Sequence, residues 1–272
     1  MKKQRIVVAL CTIGLFLSCA TNPITGGKSL NFVSNSQLFP SSFQQYDSFL
    51  KENKVITGSV DANRVTTVGM KIAAAAQKYL TSIGQPQYLN DYRWEYKLVE
   101  DKNVNAWCMP GGKIVVFTGI LPIAKDDAGL ATVMGHEVSH ALANHGAQRM
   151  SAAQLQSLGA VGVAVATGSQ SAEKQQMWQQ YYGMGSQVGV MLPFSRSYEN
   201  EADKIGLTLM AIAGYNPDEA IVFWSRMAGE SSGQKPPEFL STHPSDATRI
   251  ANLKALIPGA KATAAKFGVV FR

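Results

Sequence analysis

His136, Glu137, Val138, Ser139 and His140 set two imidazoles four residues apart, with a carboxylate directly after the first. The spacing constrains the local fold, because residues i and i+4 share one face of an α-helix. On such a helix both rings can reach one metal ion while Glu137 stands at its rim. A third protein ligand would leave one coordination position open for water. Zinc lowers the pKa of such a water from ~15.7 toward ~7, and a neighbouring carboxylate can take its proton as the water attacks a carbonyl. Glu137 fits that base role. The competing reading is a surface helix that carries the five-residue pattern by chance, so the surroundings decide.

The helix is expected to begin near Lys125, Asp126 and Asp127, where acidic residues suit an N-terminus. Leu130, Val133, Met134, Val138 and Leu142 form an apolar stripe that would bury one face and fix the ring directions. Gly135 costs roughly 1 kcal/mol in a helix relative to alanine, which points to a close packing partner there.

A third ligand is sought downstream. In the run from Ser195 to Gly206, helical spacing places Glu199 and Asp203 on one face and Glu201 on another. Glu199 is the expected third ligand. Asp203 is expected to accept a hydrogen bond from a ligating imidazole and so fix its tautomer. A solvated acidic face is the ordinary meaning of three carboxylates in five residues. It loses ground because the two-histidine helix requires one more ligand.

Between them these features carry a family resemblance. His136 to His140, then Ser195-Arg196 with Glu199 and Asp203, then His243-Pro244 with Arg249-Ile250, resemble the gluzincin metallopeptidases of the HtpX and CaaX prenyl endopeptidase type. Asn105-Ala106 ahead of Pro110-Gly111-Gly112, and the extra His145, add to the likeness, which runs from about Leu30 to Leu256. The chain is most similar to the soluble periplasmic lipoprotein branch, the BepA- and LoiP-like proteases.

The resemblance implies one Zn²⁺ per chain, held by His136, His140 and Glu199, with Glu137 as base and proton shuttle. It places His243 near the metal, as a resting fourth ligand or an oxyanion stabiliser during turnover. It implies endopeptidase activity on misfolded or misassembled envelope proteins. The alternative is a non-enzymatic or latent lipoprotein chaperone on the same fold, which has no chemical need for Glu137. His145 is expected to be structural, because nine residues at 100° each place it about 180° round the helix from His136. Arg249 is assigned to holding the His243 loop.

The expected fold is α+β and mainly helical, a gluzincin-type fold with a small antiparallel sheet beside the motif helix. Gln37 to Lys54 and Asp61 to Leu80 carry three- and four-residue apolar spacing and read as covering helices. Tyr92 to Glu100 alternates and reads as a half-buried strand. Two strand-like runs flank Pro110-Gly111-Gly112, which favours a hairpin immediately upstream of the motif helix. Its edge could bind substrate backbone by strand addition, or merely complete the sheet. Ser157 to Gly168 is apolar and too short to span a bilayer; it reads as a buried helix or a flexible flank of the cleft. Gln170 to Gln187 reads as plain packing ahead of a lid or membrane-facing helix, and Phe267 to Phe271 as strand-like.

Lys2, Lys3 and Arg5, the apolar run from Ile6 to Leu17, and Ser18-Cys19 form the three regions of an export signal. The expected organisation is a signal peptide over 1–18, a lipid-anchored tether over 19–36 with Cys19 acylated, and a metallopeptidase domain over 37–272. The expected localisation is export to the periplasmic face of a bacterial envelope as an outer-membrane lipoprotein, in contact with the membrane through that anchor. Loss of the leader lowers the cations from 25 to 22 against 19 anions, a balance that argues against a nucleic-acid surface. Cys108 would then be the one thiol of the mature domain. Stability must come from core packing.

Overall fold

The computed structural model describes residues 19–187, 191–230, 238–243 and 247–271. The expected signal peptide, 1–18, lies outside them.

Two short strands, β1 (Cys19–Thr21) and β2 (Lys28–Leu30), pair antiparallel, with Gly26 in the left-handed region of their turn. Helix α1 (Asn35–Glu52) starts at Ser34, whose backbone N–H donates to the Gln37 side chain at 3.1 Å. After β3 (Val55–Ile56), helix α2 (Val60–Ser82) is capped by Ser59, which accepts from the Ala62 N–H at 3.1 Å. Its buried positions Val65, Val68, Ile72 and Ala76 repeat at helical spacing.

Strands β4 (Glu95–Val99), β5 (Ala106–Met109) and β6 (Lys113–Phe117) complete a four-stranded sheet in the order β3-β4-β6-β5. The hairpin β5–β6 forms at the expected place, and Gly111 and Gly112 both take positive φ in its loop. No side chain could stand at Gly112, since a Cβ there would lie 2.7 Å from the Trp94 ring. The sheet is mixed, correcting the expected antiparallel one: β4 and β6 run parallel, Glu95 opposite Lys113 through Val99 opposite Phe117. The link from Glu100 to Asn105 carries the chain to the far edge, so β6 returns between β4 and β5 in the direction of β4.

After the short α3 (Leu121–Ala124) comes α4 (Asp127–Leu142), the motif helix. Asp126 caps it, accepting from the Gly129 N–H at 2.8 Å. Every residue from Gly129 to Leu142 is buried, so the helix forms the centre of the molecule. Helix α5 (His145–Thr167) follows after Asn144 (φ 57°), and α6 (Ala172–Ser186) folds back on it. Helices α7 (Leu192–Ile212), α8 (Glu219–Glu230), the short α9 (Glu238–Thr242) and α10 (Ala247–Ala265) close the other side.

Helices α4 and α7 cross at glycine. A Cβ on Gly135 would lie 3.1 Å from the Gly206 carbonyl oxygen, and one on Gly206 would lie 3.0 Å from the Gly135 carbonyl carbon. This is the packing partner that an interior glycine required.

Three expectations change. The Ser157 to Gly168 stretch is helical but outward-facing, with Leu158, Val161 and Val165 exposed. Helix α6 has no buried residue and rests on α5 through Tyr182 to the Gln156 carbonyl at 3.1 Å and Gln179 to the Ala160 carbonyl at 2.8 Å. The run Phe267 to Phe271 is a turn and irregular tail, with Phe267, Val269 and Phe271 laid on the core. No helix among the described residues is long and apolar enough to cross a membrane.

Candidate metal centre

Three elements deliver the site. Helix α4 brings His136, Glu137 and His140, α7 brings Glu199 and Asp203, and the segment after α9 brings His243. All six are buried. The Gly135–Gly206 crossing lets the two helices approach closely enough for one face of α7 to meet the imidazoles.

The ligating atoms converge. His136 Nε2 lies 3.1 Å from His140 Nε2 and 3.2 Å from Glu199 Oε2, and His140 Nε2 lies 3.3 Å from Glu199 Oε1. His243 Nδ1 lies 3.1 Å from His136 Nε2 and 2.8 Å from Glu199 Oε2. Ligands held about 2.0–2.1 Å from a tetrahedral zinc lie about 3.4 Å from one another. The observed separations are close to that shell. Glu199 Oε1 is buried with no hydrogen-bond partner, a state that is costly for a carboxylate oxygen unless a cation satisfies it. Three imidazoles and one carboxylate fit zinc, and His136, His140, Glu199 and His243 together form a group able to hold one ion.

The surroundings orient the rings. His136 Nδ1 lies 3.0 Å from Asp203 Oδ1, so with a metal bound the ring would donate there and turn its Nε2 lone pair to the metal position. Asp203 is itself gripped by Arg249, with Nη2 to Oδ1 at 2.6 Å and Nε to Oδ2 at 2.9 Å, a bidentate pair. The guanidinium lies over the Trp224 ring, 3.5 Å from its centroid. Arg249 therefore holds Asp203 rather than the His243 loop alone, and Trp224 is a partner that the sequence reading missed.

His145 also departs from expectation. Asn144 ends the motif helix in a left-handed turn, so the phase is reset and His145 comes round to His140, Nδ1 to Nδ1 at 2.8 Å. Its Nε2 meets Glu201 Oε2 at 2.9 Å. The Asn-His-Gly sequence after an apolar helix was the available signal.

Charge and burial pull the groups apart. Burial alone would lower His136, but hydrogen bonds to Asp203 and Glu199 carry it up to about 9. Burial dominates at His140 and holds it well below the usual imidazole range. Glu199 is held far below the usual carboxylate range: its burial opposes ionisation, and the imidazoles of His136, His140 and His243 gathered around it more than reverse that. Burial pushes Glu137 up, and its Oε1, also without a hydrogen-bond partner, lies 3.4 Å from His243 Nε2. A carboxylate whose burial favours the protonated form, standing at the rim of a cation site, is suited to taking up and returning a proton.

The model of the peptidase family M48 matches residues 67–257, more than half of the chain. A mitochondrial metalloendopeptidase OMA1 of Schizosaccharomyces pombe is 38% identical over 174 residues, covering 64% of this chain and 49% of its own. Its counterpart in Saccharomyces cerevisiae is 35% identical over 204 residues, covering 72% and 56%. The beta-barrel assembly-enhancing protease of Escherichia coli is 26% identical over 203 residues, covering 70% and 37%. The chain thus spans about half the length of these two OMA1 relatives. These relatives correct the expected localisation: the stronger similarities are to proteins named as mitochondrial, so a periplasmic, outer-membrane position does not stand.

Proposed function

The chain belongs to peptidase family M48, and from that premise we propose that it is a zinc-dependent endopeptidase acting on unfolded or misassembled polypeptides. The observation that carries this reading is the convergence of His136, His140 and Glu199, with a buried Glu199 oxygen that no hydrogen bond satisfies. His136, His140 and Glu199 hold the ion, and Asp203 aligns His136. A zinc ion there supplies Lewis-acid polarisation of a carbonyl and a lowered pKa for coordinated water. Glu137 takes the proton during attack on the peptide carbonyl and returns it to the leaving amine.

Extended substrate suits the edge strand β5, which packs against the motif helix and ends the sheet on that side. Addition of a substrate strand there would give affinity through backbone hydrogen bonds with little sequence preference. The residues 37–272 would form the peptidase domain. Acylation of Cys19, where β1 begins, would tether the chain to a membrane; mass spectrometry of the N-terminal peptide tests that point.

A latent form of the same enzyme has one specific support. His243 Nδ1 already sits 2.8 Å from Glu199 Oε2 and 3.1 Å from His136 Nε2, where a fourth ligand would stand. A resting state capped by His243 must release it before substrate can enter. A non-enzymatic chaperone has no comparable support, since it has no use for Glu137 beside the ligands.

The test is cleavage of unfolded casein by purified protein together with its zinc content. One zinc per chain and cleavage abolished by 1,10-phenanthroline are expected. Cleavage that persists in the metal-free protein would defeat the reading.

A further inference from the structure

Each of the two histidines on the motif helix needs its Nδ1 proton taken by an acceptor if Nε2 is to face the metal position. For His136 the acceptor is Asp203. For His140 no carboxylate among the described residues pairs with Nδ1, and the neighbour is another imidazole, His145, at 2.8 Å. We propose that Glu201 and His145 form a relay that sets the tautomer and direction of His140, and that the β1–β2 hairpin holds this relay in place. The inference rests on the proposed zinc site and assigns a positioning role to residues outside it.

The polarity of the relay follows from what each atom can do. A carboxylate only accepts, so His145 Nε2–H donates to Glu201 Oε2 at 2.9 Å. The His145 Nδ1 and the His140 Nδ1, 2.8 Å apart, share one proton, and a metal at His140 Nε2 would leave that proton on His140. A neutral ring that carries its proton on Nε2 has an acceptor at Nδ1. That acceptor takes the His140 Nδ1–H, leaving the His140 Nε2 lone pair directed at His136 Nε2 and Glu199. Tyr198 stacks on His145 at 4.4 Å between centroids and 26° between planes, which fixes the ring plane.

The far end of the relay is fixed by the N-terminal hairpin. Glu201 Oε1 accepts from Asn22 Nδ2 at 3.2 Å and from the Thr25 hydroxyl. The Asn22 amide cannot turn over, because its Oδ1 accepts from the Ile24 N–H at 2.8 Å. Residues that would be expendable in a simple tether are therefore tied, through three side chains, to a ligand of the metal.

This orientation gives an isosteric test. In Glu201→Gln the amide oxygen must stay with the Asn22 and Thr25 donors, so its NH₂ faces His145. The ring then accepts at Nε2 and donates from Nδ1, and the His140 proton is driven to Nε2, where it blocks coordination. Zinc affinity measured by chelator competition should fall about 10–100-fold in Glu201→Gln and in His145→Leu. In His145→Asn, whose Oδ1 replaces the Nδ1 acceptor, affinity should recover most of that loss. The Co²⁺ absorption spectrum should change in the first two variants and return toward wild type in the third.

Circular dichroism of the zinc-free proteins establishes folding. If His145→Leu fails to fold, the Glu201→Gln and His145→Asn pair decides. Wild-type zinc affinity, within twofold, in folded Glu201→Gln would overturn the relay. Failure of the wild-type protein itself to bind zinc would instead overturn the zinc reading.

Discussion

Gly135 and Gly206 meet backbone to backbone at the crossing of the two helices that carry the metal-site residues, with 3.0–3.1 Å left for any added methyl group. The contact lies one residue before His136 and three after Asp203, so the separation of the helices and the position of the ligands are set at the same point. Gly135→Ala or Gly206→Ala must push backbone against backbone. Each is expected to destabilise the protein by about 1–3 kcal/mol, the usual cost of overpacking. Urea unfolding should show a lower midpoint at unchanged slope.

Asp203 is the shared partner of Arg249 and His136, and Arg249 is 5% exposed. Asp203→Ala leaves a buried guanidinium without this carboxylate, which is expected to cost about 3–5 kcal/mol. Asp203→Asn keeps the shape and one acceptor, so it should fold more stably than Asp203→Ala while still binding zinc less tightly than wild type. Denaturant unfolding and chelator competition, run on the same two variants, check the ordering.

Zinc uptake should release a proton in the neutral range. In the metal-free protein the carboxylates around His136 raise it to about 9, so at pH 7 the ring is protonated and a metal must displace that proton. The sign is fixed by the raised value: affinity increases as pH rises from 7 toward 9, by about tenfold per unit for one proton released, and levels off above it. Chelator competition across this window checks it, and a flat profile between pH 7 and 9 would count against the assignment.

The same sign applies to the stability of the metal-free protein. A histidine raised above its unfolded value contributes stability that is fully present below about 6.5 and lost as pH climbs through about 9. Thermal unfolding of the zinc-free form should therefore weaken over that interval.

His243→Ala separates a capping role from a catalytic one. If His243 caps the ion at rest, its removal should raise casein cleavage and weaken zinc binding; if it stabilises the oxyanion, kcat should fall about 10²–10³-fold with zinc affinity little changed. Unchanged values in both assays would remove His243 from the site altogether.

The parts of the site that could be read in the sequence are those fixed by local periodicity. His136 and His140 lie on one face of a helix capped where Asp126 predicted, and Glu199 and Asp203 share a face of another. The glycine at 135 announced a close neighbour without naming Gly206. What remained hidden depends on breaks and long-range pairing. The 100° count placed His145 away from the motif because it ran through Asn144, whose left-handed turn ends the helix. The parallel pairing of β4 with β6 depends on which way a six-residue link crosses the sheet, a choice no alternation pattern encodes. The α5–α6 hairpin has apolar residues that point outward, so composition alone suggested burial that the packing does not supply.

Glu137 is expected to perform proton transfer at a zinc site it does not build. Wild type and Glu137→Gln, each loaded with zinc and assayed on unfolded casein, test it most directly. One zinc per chain is expected in both proteins, with a loss of kcat of about 10²–10⁴-fold in the variant. Equal cleavage rates in two proteins that both hold zinc would contradict it.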